Sequence, residues 1–403
     1  MQLIQSVRDG QWLTRARLLA YCRILAVAYL VTIVVWVALA DGWKDRAGNP
    51  IGTDFVNVYA AGLMVRDGHA PEVYDWAAHK QVENQVTGYE AAYYGWHYPP
   101  MFLGVAALVA LLPYGWALAV YMFGGMAAYI VALSRITPKN DASLWAIAAF
   151  PGLFVNLGNG QNGFITAALL GGGLYLLRAQ PWLGGILLGG LSYKPQFFVI
   201  IPCLLLCGRA WRALIACVTT AAFLMGLSVL AFGFNTWKAF IASTVLTQKI
   251  ILEQGAAGWG KIQSLFATAR GLGVGLQTAY ALQAVVAGAA ILTTAWIWRR
   301  KDASAATQMA ALCCCLLLIT PYLFDYDLMV LAVPVGFLAT QALRDGFIPY
   351  EKTFLAVLWV WPFIARAIGM HSVTLTTPLL IGLLALCFYR TRNASNLLPL
   401  PKH

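Results

Sequence analysis

The sequence predicts an all-α polytopic membrane protein, folded as one transmembrane domain over residues 1–403. Three observations carry this prediction. Of the 403 residues, 60% are hydrophobic and only 11% charged, where soluble domains carry about 25% charged residues, and the mean hydropathy is +0.69. Apolar runs near the length of a bilayer-spanning helix recur along the whole chain. Basic residues gather in short clusters at the ends of those runs. The composition excludes a soluble enzyme, a disordered chain and a disulfide-rich secreted module.

The first run, 18–40, follows a basic, Trp-containing segment and is long enough to remain as an anchor rather than a cleaved signal. Others follow at 115–134, 143–157, 163–177, 211–232, 275–298, 303–320, 327–342, 353–366 and 373–389. The pieces 101–112 and 182–207 are harder to count, and Lys194-Pro195 interrupts the second. The expectation is about 11–13 membrane helices or re-entrant pieces, with a short disordered tail at 393–403.

The net charge of +11 does not point to nucleic acid, because the cations form no patch with interleaved aromatics. They cluster instead at Arg15, Arg17 and Arg23; Arg209 and Arg212; Arg299, Arg300 and Lys301; and Arg390 and Arg392. By the positive-inside rule the N-terminus is cytoplasmic and residues 42–97 lie outside. One net crossing then separates His97 from Arg135, which makes 101–112 re-entrant or interfacial. The turns near Gln161 and Lys194 fall on the side of the long loop, as does the turn near Asp325. The eight cysteines lie in or beside apolar segments and suggest neither disulfides nor a metal site; no metal or cofactor is expected.

The outer loop, 42–97, holds seven of the sixteen acidic residues and reads as functional for its length. Thr53-Asp54 can cap a helix carrying Phe55, Val58, Tyr59 and Leu63 at helical spacing, ending at Gly68. Pro71 starts a second helix that ends before Gly88. Both are expected to lie on the membrane surface, apolar side down.

Asp54 reads either as a helix N-cap or as a general base at the water–lipid boundary, with Tyr59, Tyr74 and Trp76 nearby as groups suited to a sugar. His97, before Tyr98 and two prolines, is an interfacial anchor or a substrate contact. In Gly158-Asn159-Gly160-Gln161-Asn162 the glycines suit a tight turn, and Gln161 can meet a hydroxyl-rich ligand or a phosphate. Lys194, beside Pro195 and Gln196, costs about 2.5–3.5 kcal/mol on insertion scales and either snorkels or meets an anion such as a lipid phosphate. Lys261 and Arg270, basic on the outer side, bind phosphate or lipid headgroups. Asp325 and Asp327 start a helix, or bind a divalent cation or sugar hydroxyls.

These motifs together resemble glycosyltransferase family 87 of the GT-C superfamily. The matching pieces are Thr53-Asp54-Phe55 with Tyr59, Tyr74-Asp75, Tyr98-Pro99-Pro100, Leu112-Pro113, Gly160-Gln161, Lys194-Pro195-Gln196 and Trp211-Arg212-Ala213, then Ser264-Leu265-Phe266 with Arg270, and Pro321-Tyr322 with Tyr326-Asp327-Leu328. The resemblance implies a GT-C-type helical bundle and an inverting enzyme. Its donor would be a polyprenyl-phosphate-linked sugar, often mannose, and its acceptor a cell-envelope glycan or lipid at the outer face of a bacterial inner membrane. It places the catalytic carboxylate at Asp54. From the residue readings and these motifs together, the expected substrate contacts are Tyr59, His97, Tyr98, Gln161, Lys194, Gln196, Lys261, Arg270, Asp325 and Asp327. Where such mannosyltransferases can place a polar residue such as His near the outer end of a late helix, this chain has Asp325 and Asp327. A transporter or flippase is the rival class, weakened by the lack of inverted repeats.

Overall fold

The computed structural model describes residues 2–90, 92–371 and 373–393; most of the tail expected to be disordered thus lies outside the described residues. The architecture is all-helical, with only isolated β-bridges among the described residues. Among the described residues seven helices are long and apolar enough to cross a membrane: Arg15–Ala38, Tyr114–Ile136, Asp141–Asn159, Trp211–Phe232, Leu276–Arg299, Asp325–Asp345 and Glu351–Gly369.

Local chemistry sets the ends of these helices. Thr14 caps the first by accepting the Arg17 backbone N–H at 3.2 Å. Its 24 residues rise about 36 Å, enough for the roughly 30 Å hydrocarbon core. It is apolar on all sides and leaves Val27, Leu30, Val31 and Val34 exposed, as a lipid-facing helix does. The opposite case is Ala305–Ile319, a shorter helix buried from Ala306 through Leu318. It packs against Leu276–Arg299, Ala332–Asp345 and Thr376–Arg392 and forms the centre of the bundle.

The two doubtful stretches resolve as broken pieces. Residues 100–109 form a short 3-10 turn and the helix Leu103–Val109, too short at 1.5 Å per residue to cross. The 182–207 run splits into Pro181–Gly190, a 3-10 turn at Leu191–Tyr193, Pro195–Phe198 and Ile201–Cys207. Pro195, which has no N–H to give, sets the break just after Lys194.

The outer loop departs from expectation. Phe55–Arg66 is not a surface helix: Phe55, Val56, Val58, Ala60, Ala61 and Met64 are all buried. Gly62 lets it approach Leu103–Val109 so closely that a Cβ there would stand 2.1 Å from the Ala106 carbonyl oxygen. The second predicted helix is divided. Pro71–Tyr74 forms a 3-10 turn, and Asp75 caps a new helix, Trp76–Thr87, by accepting the Ala77 and Ala78 N–H groups, both at 2.9 Å. Gly88 ends that helix in the left-handed conformation.

Candidate active site

A cavity of about 660 Å³ opens between the outer loop, the 158–162 turn, the break at Lys194, the helix Phe234–Thr247 and the segments near Lys261 and Asp327. The turns near Gln161, Lys194 and Asp327 therefore converge on the long loop.

Asp54 is fixed by backbone before its side chain acts. Its N–H donates to the Asn159 carbonyl at 3.0 Å. Gly160, at φ +63°, approaches so closely that a Cβ would lie 2.1 Å from the Gly52 carbonyl oxygen. Thr53 sits at φ +22°, a conformation that costs a residue with a side chain energy and that clusters at functional sites. Asp54 occupies the N-cap position, yet its side chain makes no cap hydrogen bond. The carboxylate turns instead to Gln161, whose Nε2 donates to Oδ2 at 2.8 Å, and to Lys261, whose Nζ reaches the same oxygen at 3.2 Å. Among the described residues no hydrogen bond engages Oδ1, and Asp54 lines the cavity.

A row of contacts runs from Asp54 to a second charged pair. The Tyr98 hydroxyl donates to Gln161 Oε1 at 3.0 Å. Its ring lies 6.2 Å from that of Tyr193, which precedes Lys194. Lys194 Nζ donates to Asp327 Oδ1 at 2.5 Å, with the two side chains only 2% and 1% exposed. The Phe197 and Tyr326 rings each lie 5.5 Å from the ammonium. This geometry excludes snorkelling for Lys194. Lys261 is positioned by backbone pairing: Asp325 N–H donates to the Lys261 carbonyl at 2.9 Å, and Gln263 N–H to the Leu323 carbonyl at 2.6 Å.

His97 and Gln196 also line the cavity. His97 Nδ1 lies 3.1 Å from the Thr247 hydroxyl. Burial lowers its pKa to about 4 against the opposing pull of Asp54, so the imidazole is neutral at pH 7.

Three expected contacts stand elsewhere. The Tyr59 hydroxyl donates to the Leu112 carbonyl at 2.9 Å, away from the cavity. Arg270 donates to the Val274 and Glu253 carbonyls, so its charge tightens a turn rather than facing the cavity. Asp325 is buried behind the lining, 3.6 Å from Arg366 Nη1. Sequence reasoning missed Tyr93 and Tyr94, although the aromatic run from Tyr93 to Tyr98 was a usable signal. It also missed Ser243, Thr244 and Thr247, for which no local signal existed.

Comparison with known proteins gives one match: the family model for glycosyltransferase family 87 covers residues 96–321, more than half of the chain. That stretch includes Gln161, Lys194 and Lys261 and stops short of Asp54 and Asp327 at its two sides. No curated protein and no solved structure matches.

Proposed function

The chain belongs to glycosyltransferase family 87, a family of membrane glycosyltransferases, and from that premise we propose that it transfers a hexose, mannose or a close relative, from a polyprenyl-phosphate donor to a cell-envelope glycan or lipid, with inversion and with Asp54 as general base. The family assignment removes the transporter reading. The observation that carries the proposal is the Asp54 carboxylate at a large cavity, with Oδ2 held by Gln161 and Lys261 and Oδ1 unengaged among the described residues.

In the proposed step an acceptor hydroxyl attacks the anomeric carbon. Its proton passes to Asp54 Oδ1 while the new glycosidic C–O bond forms. The bond from the anomeric carbon to the phosphate oxygen breaks, and polyprenyl phosphate leaves with the electron pair. Inversion puts the base and the leaving group on opposite faces of that carbon. Lys261 touches Asp54 itself, so it belongs to the acceptor side and holds the carboxylate in its orientation. Lys194 is then the cation for the departing phosphate, with Asp327 matching its charge until the donor arrives. The apolar side of the cavity, at Phe240, Ile250 and Ile251, suits the first prenyl units. In this reading the site faces the outside of a bacterial inner membrane, which the basic clusters support under the positive-inside rule.

The test supplies purified protein in lipid with polyprenyl-phosphate mannose, polyprenyl-phosphate glucose or nucleotide sugars, together with envelope glycolipid extract. Transfer from a polyprenyl-phosphate hexose is expected. Transfer from nucleotide sugar alone would refute the donor assignment.

A further inference from the structure

One wall of the cavity has no role in the chemistry above. Trp76, Tyr93, Tyr94 and His97 line it, each half-buried, and come from the outer loop. Trp76 and Tyr93 lie 5.1 Å apart between ring centroids, and Trp76 and His97 6.1 Å. The Trp76 indole N–H and the Tyr93 hydroxyl are buried atoms with no hydrogen-bond partner among the described residues. A polar group left so costs about 1–3 kcal/mol, and neither atom is open to the cavity as it stands. Ser243, Thr244 and Thr247 add hydroxyls to the same cavity. Aromatic faces beside hydroxyl-bearing side chains match a pyranose ring, which has an apolar C–H face and a rim of hydroxyls. The wall is braced from behind: buried Glu83 accepts the Tyr94 N–H on Oε2 at 3.2 Å, and buried His79 meets Tyr93 edge-on at 6.3 Å.

We propose that Trp76, Tyr93 and His97 form a pyranose subsite for the acceptor sugar. The proposal rests on the glycosyltransferase reading and extends it. The acceptor is favoured over the donor sugar because the wall belongs to the water-facing loop, whereas the phosphate-side cation, Lys194, sits in the membrane-embedded break.

Saturation-transfer NMR on the full chain in phospholipid nanodiscs tests this, with methyl α-mannopyranoside and methyl β-glucopyranoside as probes and myo-inositol as the control. At least one pyranoside is expected to receive saturation, strongest on its C–H face, and to keep it when polyprenyl-phosphate mannose is present in excess. Trp76→Ala should weaken that binding at least tenfold. Trp76→Phe, which keeps a ring and tests folding independently, should weaken it less. Binding of neither pyranoside, binding no better than inositol, displacement by the donor, or indifference to Trp76→Ala would each overturn the subsite. A chain that transfers mannose yet binds no pyranoside refutes this subsite alone; one that binds but never transfers refutes only the proposed reaction.

Discussion

Separating Lys194 from Asp327 probes the phosphate side of the cavity. The two side chains are 2% and 1% exposed and meet at 2.5 Å, so neither charge has water to fall back on. Lys194→Met leaves a buried carboxylate whose other oxygen accepts the Phe324 N–H at 3.2 Å. Asp327→Asn keeps that acceptor but strands the ammonium between the Phe197 and Tyr326 rings, which return about 2 kcal/mol. Removing one partner of a buried pair costs about 3–5 kcal/mol. Lys194→Met should therefore cost near the top of that range and Asp327→Asn near the bottom. The double variant Lys194→Met/Asp327→Leu leaves no charge behind and should recover most of the loss. Thermal unfolding in detergent ranks the four proteins. Adding polyprenyl-phosphate mannose should raise the unfolding temperature of Asp327→Asn by more than that of wild type, because the phosphate replaces the missing carboxylate. A double variant as unstable as either single, or an equal donor shift in both proteins, would refute the reasoning.

Two further perturbations address the scaffold. Burial raises the Glu83 pKa to about 8 from an ordinary 4.5, so the folded state holds this proton longer than the unfolded state and stability falls as pH rises between those values. His79 is lowered to about 3 from 6.5 by burial and acts only below pH 6.5, so unfolding temperatures between pH 6.5 and 8 isolate Glu83: wild type should drop across that window more than Glu83→Gln, and parallel curves would remove Glu83 as the cause. Gly160→Ala drives a Cβ to 2.1 Å from the Gly52 carbonyl oxygen at a positive φ; it should cost about 1–3 kcal/mol and shift Asp54 enough to depress turnover, and an unaltered rate would show that this turn does not position the carboxylate.

Much of the fold was legible because lipid demands long apolar helices, and cations at their ends mark topology. The break at Lys194-Pro195 was readable for the same reason, since a lysine and a proline both interrupt a span. The burial of the helix Phe55–Arg66 was missed although the segment is apolar nearly all round, Asn57 and Arg66 apart, which is the pattern of a covered rather than a surface helix. Asp54 was legible as a residue at a helix start, but its turn away from the cap depends on Gln161 and Lys261, 107 and 207 positions away. Lys194 was singled out, whereas its partner Asp327 lies 133 residues along the chain, a pairing no local pattern encodes. Arg270 misled because a cation beside an apolar segment looks the same whether it meets a phosphate or, as here, backbone carbonyls.

The central claim is that Asp54 takes the acceptor proton, and single-turnover transfer by Asp54→Asn tests it most directly. Asparagine keeps the size of the side chain and an acceptor for Gln161 Nε2 while removing the base. With polyprenyl-phosphate hexose bound as tightly as in wild type, the transfer rate should fall about 10²–10⁴-fold. Asp325→Asn, buried behind the lining, should retain far more activity. Near-wild-type transfer by Asp54→Asn, with unchanged donor affinity, would contradict the assignment.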